Sequence, residues 1–322
     1  MRYFNVKEAP IKVYGLLDNF NRLPDDIIDK VNNEVTWLAT CTTGGRVRFE
    51  TSSSVIEIKV KLKRDPIGWG HQPRSGYTGI DVYLDGQFRA VYYPGHTEKE
   101  FGATLYKDPG NRAVEINLPL ANGVEEMTIG ILDDADMCES KPYKYEKPIV
   151  YYGSSITMGG CVSRPGMCYA SRVARRINAN HINLGFSGSA LGEQVMADYI
   201  ASLDMSAFVL DYDHNAPNPA HLEATHYNMY ETVRKAHPDI PIVMVTKPDF
   251  ENGYFENMER RALIMENYVK AFRSGDKNVF FCDGKAFFTG TDRDSCTVDF
   301  IHPNDLGHHR MAEGIYRELP LR

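Results

Sequence analysis

The sequence predicts two structural units in series: an all-β sandwich of jelly-roll type over residues 1–147, and an α/β unit with a doubly wound parallel sheet over residues 148–322. Through much of the first unit, apolar and polar residues alternate with a period of two, which is typical of strands with one buried face. In the second unit, short apolar runs alternate with amphipathic helical stretches, the pattern of a parallel sheet covered by helices on both faces. The length of 322 residues also suits about two domains.

The strands of the first unit are visible as alternating segments. In residues 54–64 (SVIEIKVKLKR), isoleucine, valine and leucine interleave with glutamate and lysine. Residues 79–93 alternate in the same way around Asp85-Gly86, a pair that accepts the positive φ angles of a tight hairpin. Further alternating segments are 113–120 and 125–132. After residues 24–32 no segment of this unit has a helical period, so we expect short strands of a jelly-roll-like sandwich there.

The second unit contains apolar runs that are too short for helices, and each is followed by a helical stretch. The runs are 148–153, 181–186, 207–213, 241–246 and 279–284. The helical spacing is clearest in Ala262, Met265, Val269 and Phe272, and in Met311, Ile315 and Leu319. In sheets of this kind ligands bind beyond the carboxyl ends of the strands, so we expect functional residues there.

Composition and charge exclude several classes of function. The net charge of -7 and the pI near 5.8 provide no basic surface for nucleic acid. The first 20 residues carry frequent charges and lack the apolar core of a signal peptide, and no apolar stretch reaches membrane-spanning length, so we expect a cytoplasmic protein that is not embedded in a membrane. The six cysteines form no C-x-x-C pair and no zinc-like spacing, which favours reduced, buried thiols.

Polar residues that could carry out nucleophilic chemistry follow several of the predicted strands. Ser155 follows the first strand, Asn215 the third, and Asp299 and His302 lie on a loop after the fifth. A serine nucleophile needs a neighbouring base, and that base needs a third group to orient it. Taken alone, Ser155 could equally be a turn residue and Asn215 a loop or capping residue.

Four segments, in this order, resemble the sequence blocks of the SGNH hydrolase superfamily, also called GDSL esterases and acylhydrolases. The family's G-D-S-I-T block resembles GSSIT at residues 153–157. Its second block, a glycine, falls on Gly188 in NLGFSGS, and the asparagine of its third block, G-x-N-D, falls on Asn215. Its last block, D-x-x-H, falls on Asp299 and His302.

The resemblance covers residues 149–322 and departs from the family pattern in two blocks. Ser154 replaces the aspartate of the first block, while Asp213 and Ala216 replace the glycine and aspartate of the third. The resemblance implies a flavodoxin-like α/β fold. The β-sandwich in front of it is similar to that of a subgroup that includes deacylases of carbohydrates and other small esters.

The resemblance also assigns a role to each matched residue. Ser155 would be the nucleophile, His302 the general base and Asp299 the residue that orients the imidazole. The backbone amides of Ser155 and Gly188, with the side chain of Asn215, would form the oxyanion hole. It implies no cofactor.

These roles predict a serine esterase that removes a short acyl group, of the size of acetyl, from a small hydroxylated molecule or a carbohydrate. Two alternatives keep the same triad: a lysophospholipase or thioesterase with a longer acyl chain, and an acyltransferase. An alternative of another class is a carbohydrate-binding protein without activity. The oligomeric state is not predicted.

Other residues are secondary candidates. Arg164, in the loop after the nucleophile, is a candidate substrate contact. Trp69 lies in a glycine-rich loop of the first unit whose aromatic and hydrogen-bonding side chains suit a sugar ring, although the loop could also be a plain cover. Asp213 and His214 suggest a metal site, but adjacent residues usually point apart, so we predict none. His308 is expected on an exposed helix face.

Overall fold

The structure is a computed structural model that describes residues 1–248 and 251–321. Residues 1–144, referred to below as the β region, form short strands and three short helices. The strands are β1 (Arg2–Asn5), β2 (Lys12–Tyr14), β3 (Arg46–Thr51), β4 (Val55–Leu62), β5 (Ile80–Leu84), β6 (Gln87–Tyr92), β7 (Glu100–Tyr106), β8 (Arg112–Asn117), β9 (Val124–Ile131) and β10 (Met137–Cys138). The helices are α1 (Asp25–Ile28), α2 (Asn33–Leu38) and α3 (Arg74–Tyr77).

The strands of the β region pair antiparallel in two sheets that share one apolar core. One sheet has the order β1-β9-β4-β7, and the other has the order β10-β3-β8-β5-β6, with β2 paired to β3. Ile56, Ile58 and Val60 of β4 are buried in the core together with Val47 and Phe49 of β3. The predicted two-residue alternation therefore reflects strands with one face in this core, and the antiparallel sheets are confirmed.

Helix α2 was not expected from the sequence. The side chain of Asn32 accepts a hydrogen bond from the backbone N–H of Val35, which caps the helix. The helix has only six residues, too few to show a helical period in the sequence. Val35 and Leu38 are buried in the core of the α/β region instead of the sandwich core, so the helix forms because of tertiary packing.

The remaining chain, the α/β region, is built on a parallel sheet with the order β12-β11-β13-β14-β15. Its strands are β11 (Tyr145–Gly153), β12 (Ala179–Gly185), β13 (Ala207–Asp211), β14 (Ile242–Val245) and β15 (Val279–Cys282). Its helices are α4 (Ser155–Met158), α5 (Tyr169–Ile177), α6 (Gln194–Ser202), α7 (Pro219–Ala236), α8 (Tyr254–Arg273) and α9 (Asp305–Glu318).

Apolar clusters cover both faces of this sheet. Along β11, Val150 and Tyr152 belong to one cluster, whereas Ile149 and Tyr151 belong to the other. The doubly wound sheet predicted from the five apolar runs is therefore confirmed. Within the described ranges, no helix is both long and apolar enough to cross a bilayer.

A buried arginine joins the two regions. Arg22, before α1, donates hydrogen bonds to the backbone carbonyls of Asn183 and Gly185 at the end of β12. It also donates to the carbonyl of Leu38, and its guanidinium lies 4.5 Å from the ring centre of Phe186. The β region is thus fixed to the edge where the strands of the parallel sheet end.

Candidate active site

Ser155 is presented by a tight strand-to-helix turn. Strand β11 ends at Gly153, where a Cβ atom would clash with the Thr157 hydroxyl and the Asp211 carbonyl, so only glycine fits. The Ser154 side chain then caps α4 by accepting the N–H of Ile156 at 3.1 Å. Ser155 is the first residue of that helix, and its N–H has no acceptor within the helix.

Three side chains form a continuous hydrogen-bonded chain at this point. The Ser155 Oγ lies 2.9 Å from Nε2 of His302, and Nδ1 of His302 lies 2.7 Å from Oδ2 of Asp299. An ionised carboxylate can only accept, so Nδ1 carries the proton, and Nε2 is left to accept from the serine hydroxyl. This is the arrangement of a nucleophile, a base and an orienting carboxylate.

The Asp299 carboxylate is held in its ionised form by its own loop. Its partial burial favours the neutral acid, but the N–H groups of His302 and Ile301 donate to Oδ1 at 2.7 and 3.1 Å. With the imidazole of His302 on Oδ2, these donors outweigh burial and lower the pKa of Asp299 to about 2. The three-residue spacing of Asp299 and His302 allows one loop to supply all these bonds.

Asn215 is anchored by the loop that carries Gly188. Its side-chain amide is oriented so that the oxygen accepts the backbone N–H groups of Gly188 at 2.8 Å and Ser189 at 3.0 Å. The NH2 group of Asn215 is therefore its remaining donor. The sequence predicts the Gly188 N–H as a donor of the oxyanion hole. In the structure this N–H donates to the side-chain oxygen of Asn215, which is itself a predicted member of the oxyanion hole.

Arg260 was not found from the sequence, yet it holds the turn that carries Asn215. The side chain of this α8 residue is 5% exposed and donates to the carbonyls of Asp213 at 2.9 Å and Ala216 at 2.8 Å. It also lies 3.4 Å from the Asp213 carboxylate, which accepts the N–H of Lys247 at 2.9 Å. A sequence signal that could have pointed to Arg260 is Asp213, because a carboxylate buried at the end of a strand requires a partner. One Asp213 oxygen thus faces Arg260 and the other accepts the Lys247 N–H.

A narrow cavity beside Ser155 is walled by both regions. Its lining includes Trp69, Tyr77 and Leu120 from the β region, with Met158 from α4. The volume in which the centre of a water molecule can move is about 10 Å³. Since about 10 to 15 Å³ by this measure holds a single water, the cavity has room for a very small group only.

The loop of the β region that contains Trp69 reaches the catalytic edge of the α/β region. Trp69 stacks on His71 with ring centres 6.3 Å apart, and His71 in turn stacks on His302 at 5.4 Å. The Nε2 atom of His71 lies 3.8 Å from Oδ2 of Asp299. Trp69 is therefore brought to the site as expected, whereas His71, which carried no motif, was not singled out as a site residue.

Arg164 is not brought to this cavity. Its guanidinium donates to the buried carboxylate of Asp81 at 2.8 Å and to the hydroxyl of Tyr83 at 2.6 Å, and it lies 3.7 Å from the ring centre of Phe88. Because Asp81 must be paired inside the protein, Arg164 serves the contact between the regions instead of a substrate.

His308 is buried and not exposed. Its Nδ1 atom accepts the N–H of Tyr169 at 3.2 Å, and burial lowers its pKa to about 4. A charged imidazole would lose hydration in this position, so His308 is a neutral core residue.

The comparisons with known proteins agree with this geometry. Residues 146–319 match the GDSL-like lipase/acylhydrolase family, and residues 1–137 match the N-terminal domain of SGNH hydrolase-type esterases. No curated protein matches the sequence.

Several solved structures are similar over almost their full length. A protein described as a GDSL-like lipase from Bacteroides ovatus is 29% identical with a TM-score of 0.86, covering 97% of this chain and 95% of that one. The salicylyl-acyltransferase SsfX3 of a tetracycline biosynthetic pathway is 18% identical with a TM-score of 0.80, covering 100% and 99%. An acetyl xylan esterase from Butyrivibrio proteoclasticus is 14% identical with a TM-score of 0.61, covering 98% of each chain.

The last two structures share the fold alone, since their sequence identity is low. The family match, in contrast, spans more than half of the chain and includes every segment that carries the catalytic constellation. The chain therefore belongs to the GDSL-like lipase/acylhydrolase family and is an enzyme that acts on carboxylic esters.

Proposed function

We propose that the protein is a serine esterase that removes a short acyl group, of the size of acetyl, from a hydroxylated small molecule or carbohydrate. The observation that carries the proposal is the hydrogen-bonded chain from Ser155 through His302 to Asp299 at the carboxyl edge of the sheet. These contacts supply a nucleophile, a base and an orienting carboxylate without rearrangement.

The reaction follows from the protonation states of these groups. His302 accepts the proton of Ser155 as Oγ attacks the ester carbonyl, and Asp299 stabilises the imidazolium that forms. His302 then returns the proton to the departing alcohol, which leaves an acyl group on Ser155. In the second half, His302 activates a water molecule that releases the acid and restores the serine.

The negative oxygen of the tetrahedral intermediate needs donors that are already in place. The N–H of Ser155, in the first turn of α4, and the NH2 group of Asn215 are the two donors we assign. Gly188 supports them by holding the Asn215 oxygen.

The size of the acyl group is argued from the cavity beside Ser155. Space for about one water molecule accommodates an acetyl methyl, whereas a lysophospholipase or long-chain thioesterase requires an apolar channel. Leu120 and Met158 are among the apolar residues that line this cavity.

The alcohol half is assigned to the open side of the site, where Trp69 is 46% exposed. An exposed indole next to hydrogen-bonding side chains such as Gln72 suits the apolar face and hydroxyls of a sugar ring. The similarity to an acetyl xylan esterase agrees with this assignment. A binding protein without activity is disfavoured because both hydrogen bonds of the triad are present.

An acyltransferase is the second candidate. The fold is shared with a salicylyl-acyltransferase, and an acyl-serine can be discharged to an alcohol as well as to water. The two candidates differ only in the second step, so the ratio of acid to transferred ester, measured with a sugar as acceptor, distinguishes them.

The test is a panel of acyl nitrophenyl esters from acetyl to palmitoyl, with acyl-enzyme formation followed by mass spectrometry. We expect acetyl to be the best substrate and Ser155→Ala to form no acyl-enzyme. The matched control is Ser187→Ala, because Ser187 also lines the cavity, whereas the serine that is hydrogen-bonded to His302 is Ser155. A preference for long chains, or acylation that persists in Ser155→Ala, would contradict the proposal.

A further inference from the structure

Three potential metal ligands lie close together next to Ser155, and the reaction proposed above uses only one of them, His302. The ligand atoms of His71, Cys161 and His302 all lie within 4.8 Å of one another. His71 comes from the β region, whereas Cys161 and His302 come from two loops of the α/β region. Two imidazoles and a thiol are the ligand types that Zn²⁺ prefers.

The geometry is close to that of a tetrahedral site. Zinc–nitrogen distances of about 2.0 to 2.1 Å and zinc–sulfur distances of about 2.3 Å place tetrahedral ligand atoms roughly 3.3 to 3.6 Å apart. The three atoms, which lie within 4.8 Å of one another, therefore need to approach by about 1.2 to 1.5 Å at most. The side chain of His71 is 35% exposed, so it is not fully enclosed by the rest of the protein.

The carboxylate of Asp299 prepares His302 for this role. A metal-bound histidine usually donates its other ring N–H to a carboxylate or carbonyl, which fixes the tautomer and increases the basicity of the ligand. His302 already has this arrangement, since its Nδ1 lies 2.7 Å from Asp299 and its Nε2 faces the serine. Nε2 is thus both the proton acceptor of the reaction and the available ligand atom.

We propose that Zn²⁺, or another divalent cation that prefers nitrogen and sulfur ligands, binds His71, Cys161 and His302 and thereby switches the enzyme off. This inference rests on the proposed function, because the metal inhibits by occupying the Nε2 atom that accepts the proton of Ser155. Binding releases the thiol proton of Cys161 to solvent, breaks the hydrogen bond between Ser155 and Nε2 of His302, and replaces water ligands of the metal ion with the three side chains. Mg²⁺ and Ca²⁺, which prefer oxygen ligands, do not bind this set.

The first experiment measures inhibition. Full-length protein freed of metal with EDTA is titrated with zinc chloride or magnesium chloride in the nitrophenyl acetate assay. We expect zinc to inhibit, magnesium to have no effect, and EDTA to restore activity. His71→Gln and Cys161→Ala should each raise the zinc concentration for half-inhibition at least about tenfold, relative to each variant's own zinc-free rate. The control is Cys138→Ala, which removes an exposed thiol of β10 and should leave this concentration unchanged.

The second experiment detects the metal without relying on activity. Co²⁺ added to Ser155→Ala protein should produce a thiolate-to-cobalt charge-transfer band. The double variant Ser155→Ala/Cys161→Ala should not show this band. The proposal would be overturned if zinc inhibited His71→Gln, Cys161→Ala and the unchanged protein at the same concentration, or if the band were absent. If the band forms but no ester in the panel is hydrolysed, the metal site stands and the proposed esterase function fails.

Discussion

Replacing Arg260 with methionine tests whether a buried ion pair holds the turn that carries Asn215. Methionine keeps an unbranched side chain of similar length but removes the bonds to Asp213 and Ala216. The Asp213 side chain has no exposed area, so its carboxylate would stay buried without its cation. Breaking such a pair from one side costs about 3 to 5 kcal/mol, because an uncompensated charge is left inside.

The loss of stability should depend on pH in a defined direction. Burial raises the pKa of Asp213, and Arg260 is one of the groups that lower it again, so the variant should raise that pKa further. A carboxyl group whose pKa is higher in the folded than in the unfolded state destabilises the fold when ionised. The penalty disappears as the pH falls through the folded value. Urea unfolding at pH 8 and pH 5 should therefore show a larger loss for Arg260→Met at pH 8.

The effect on catalysis has an upper limit. Asn215→Ala should lower kcat by about 10²- to 10³-fold, as loss of one oxyanion donor commonly does. Arg260 acts through Asn215, so Arg260→Met should cost less than this. In an Asn215→Ala background it should cost almost nothing further.

Two further variants separate charge from packing. Arg261→Met makes the same change at the next residue, whose pair with Asp283 is about one-third exposed and should contribute about 1 kcal/mol or less. Asp213→Asn combined with Arg260→Met removes the buried charge and should be more stable at pH 8 than Arg260→Met alone. Equal losses at both pH values, or a kcat loss that adds fully to that of Asn215→Ala, would refute the reasoning.

Four other outcomes are expected. Asp299, with a pKa of about 2, stays ionised at pH values above the ordinary carboxyl value of about 4, so a pH-rate profile should show no ionisation of this carboxylate there. Ionised Asp299 stabilises the folded state at pH values above about 4, the ordinary pKa of a carboxyl group. This stabilisation should be lost as the pH falls through about 2, and acid unfolding measures the loss. Trp69→Ala should lower kcat/KM for an acetylated sugar far more than for nitrophenyl acetate, because only the sugar reaches the loop, and equal losses would indicate a structural role. EDTA should not reduce activity, and a loss that a divalent ion restored would contradict the metal-free reaction.

Much of the architecture could be predicted from the sequence because it depends on local periodicity. The alternation in β4 and the apolar runs of β11 to β15 reflect which faces are buried, and burial leaves a period of two or a continuous apolar run in the chain. The placement of Ser155 and Asn215 also followed, since the carboxyl ends of parallel strands meet at one edge. Asp299 and His302 were paired by a spacing of three residues within one loop.

Other features depend on contacts between residues that are distant in the chain. Helix α2 forms because Val35 and Leu38 find the core of the other region, and Arg164 pairs with Asp81 across the two regions. His71 carries no motif of its own. Only the docking of the β region brings it onto His302.

The sequence by itself determined the alternating strands β4, β5, β6, β8 and β9, the parallel sheet and the order of the candidate catalytic residues along the chain. The tertiary structure decided that Arg260 holds the turn around Asn215, that Gly188 contacts the Asn215 amide, and that the cavity beside Ser155 is small. The physical reason is that periodicity records whether a side chain is buried, whereas the partner of a buried charge or amide is selected by the packing of distant segments.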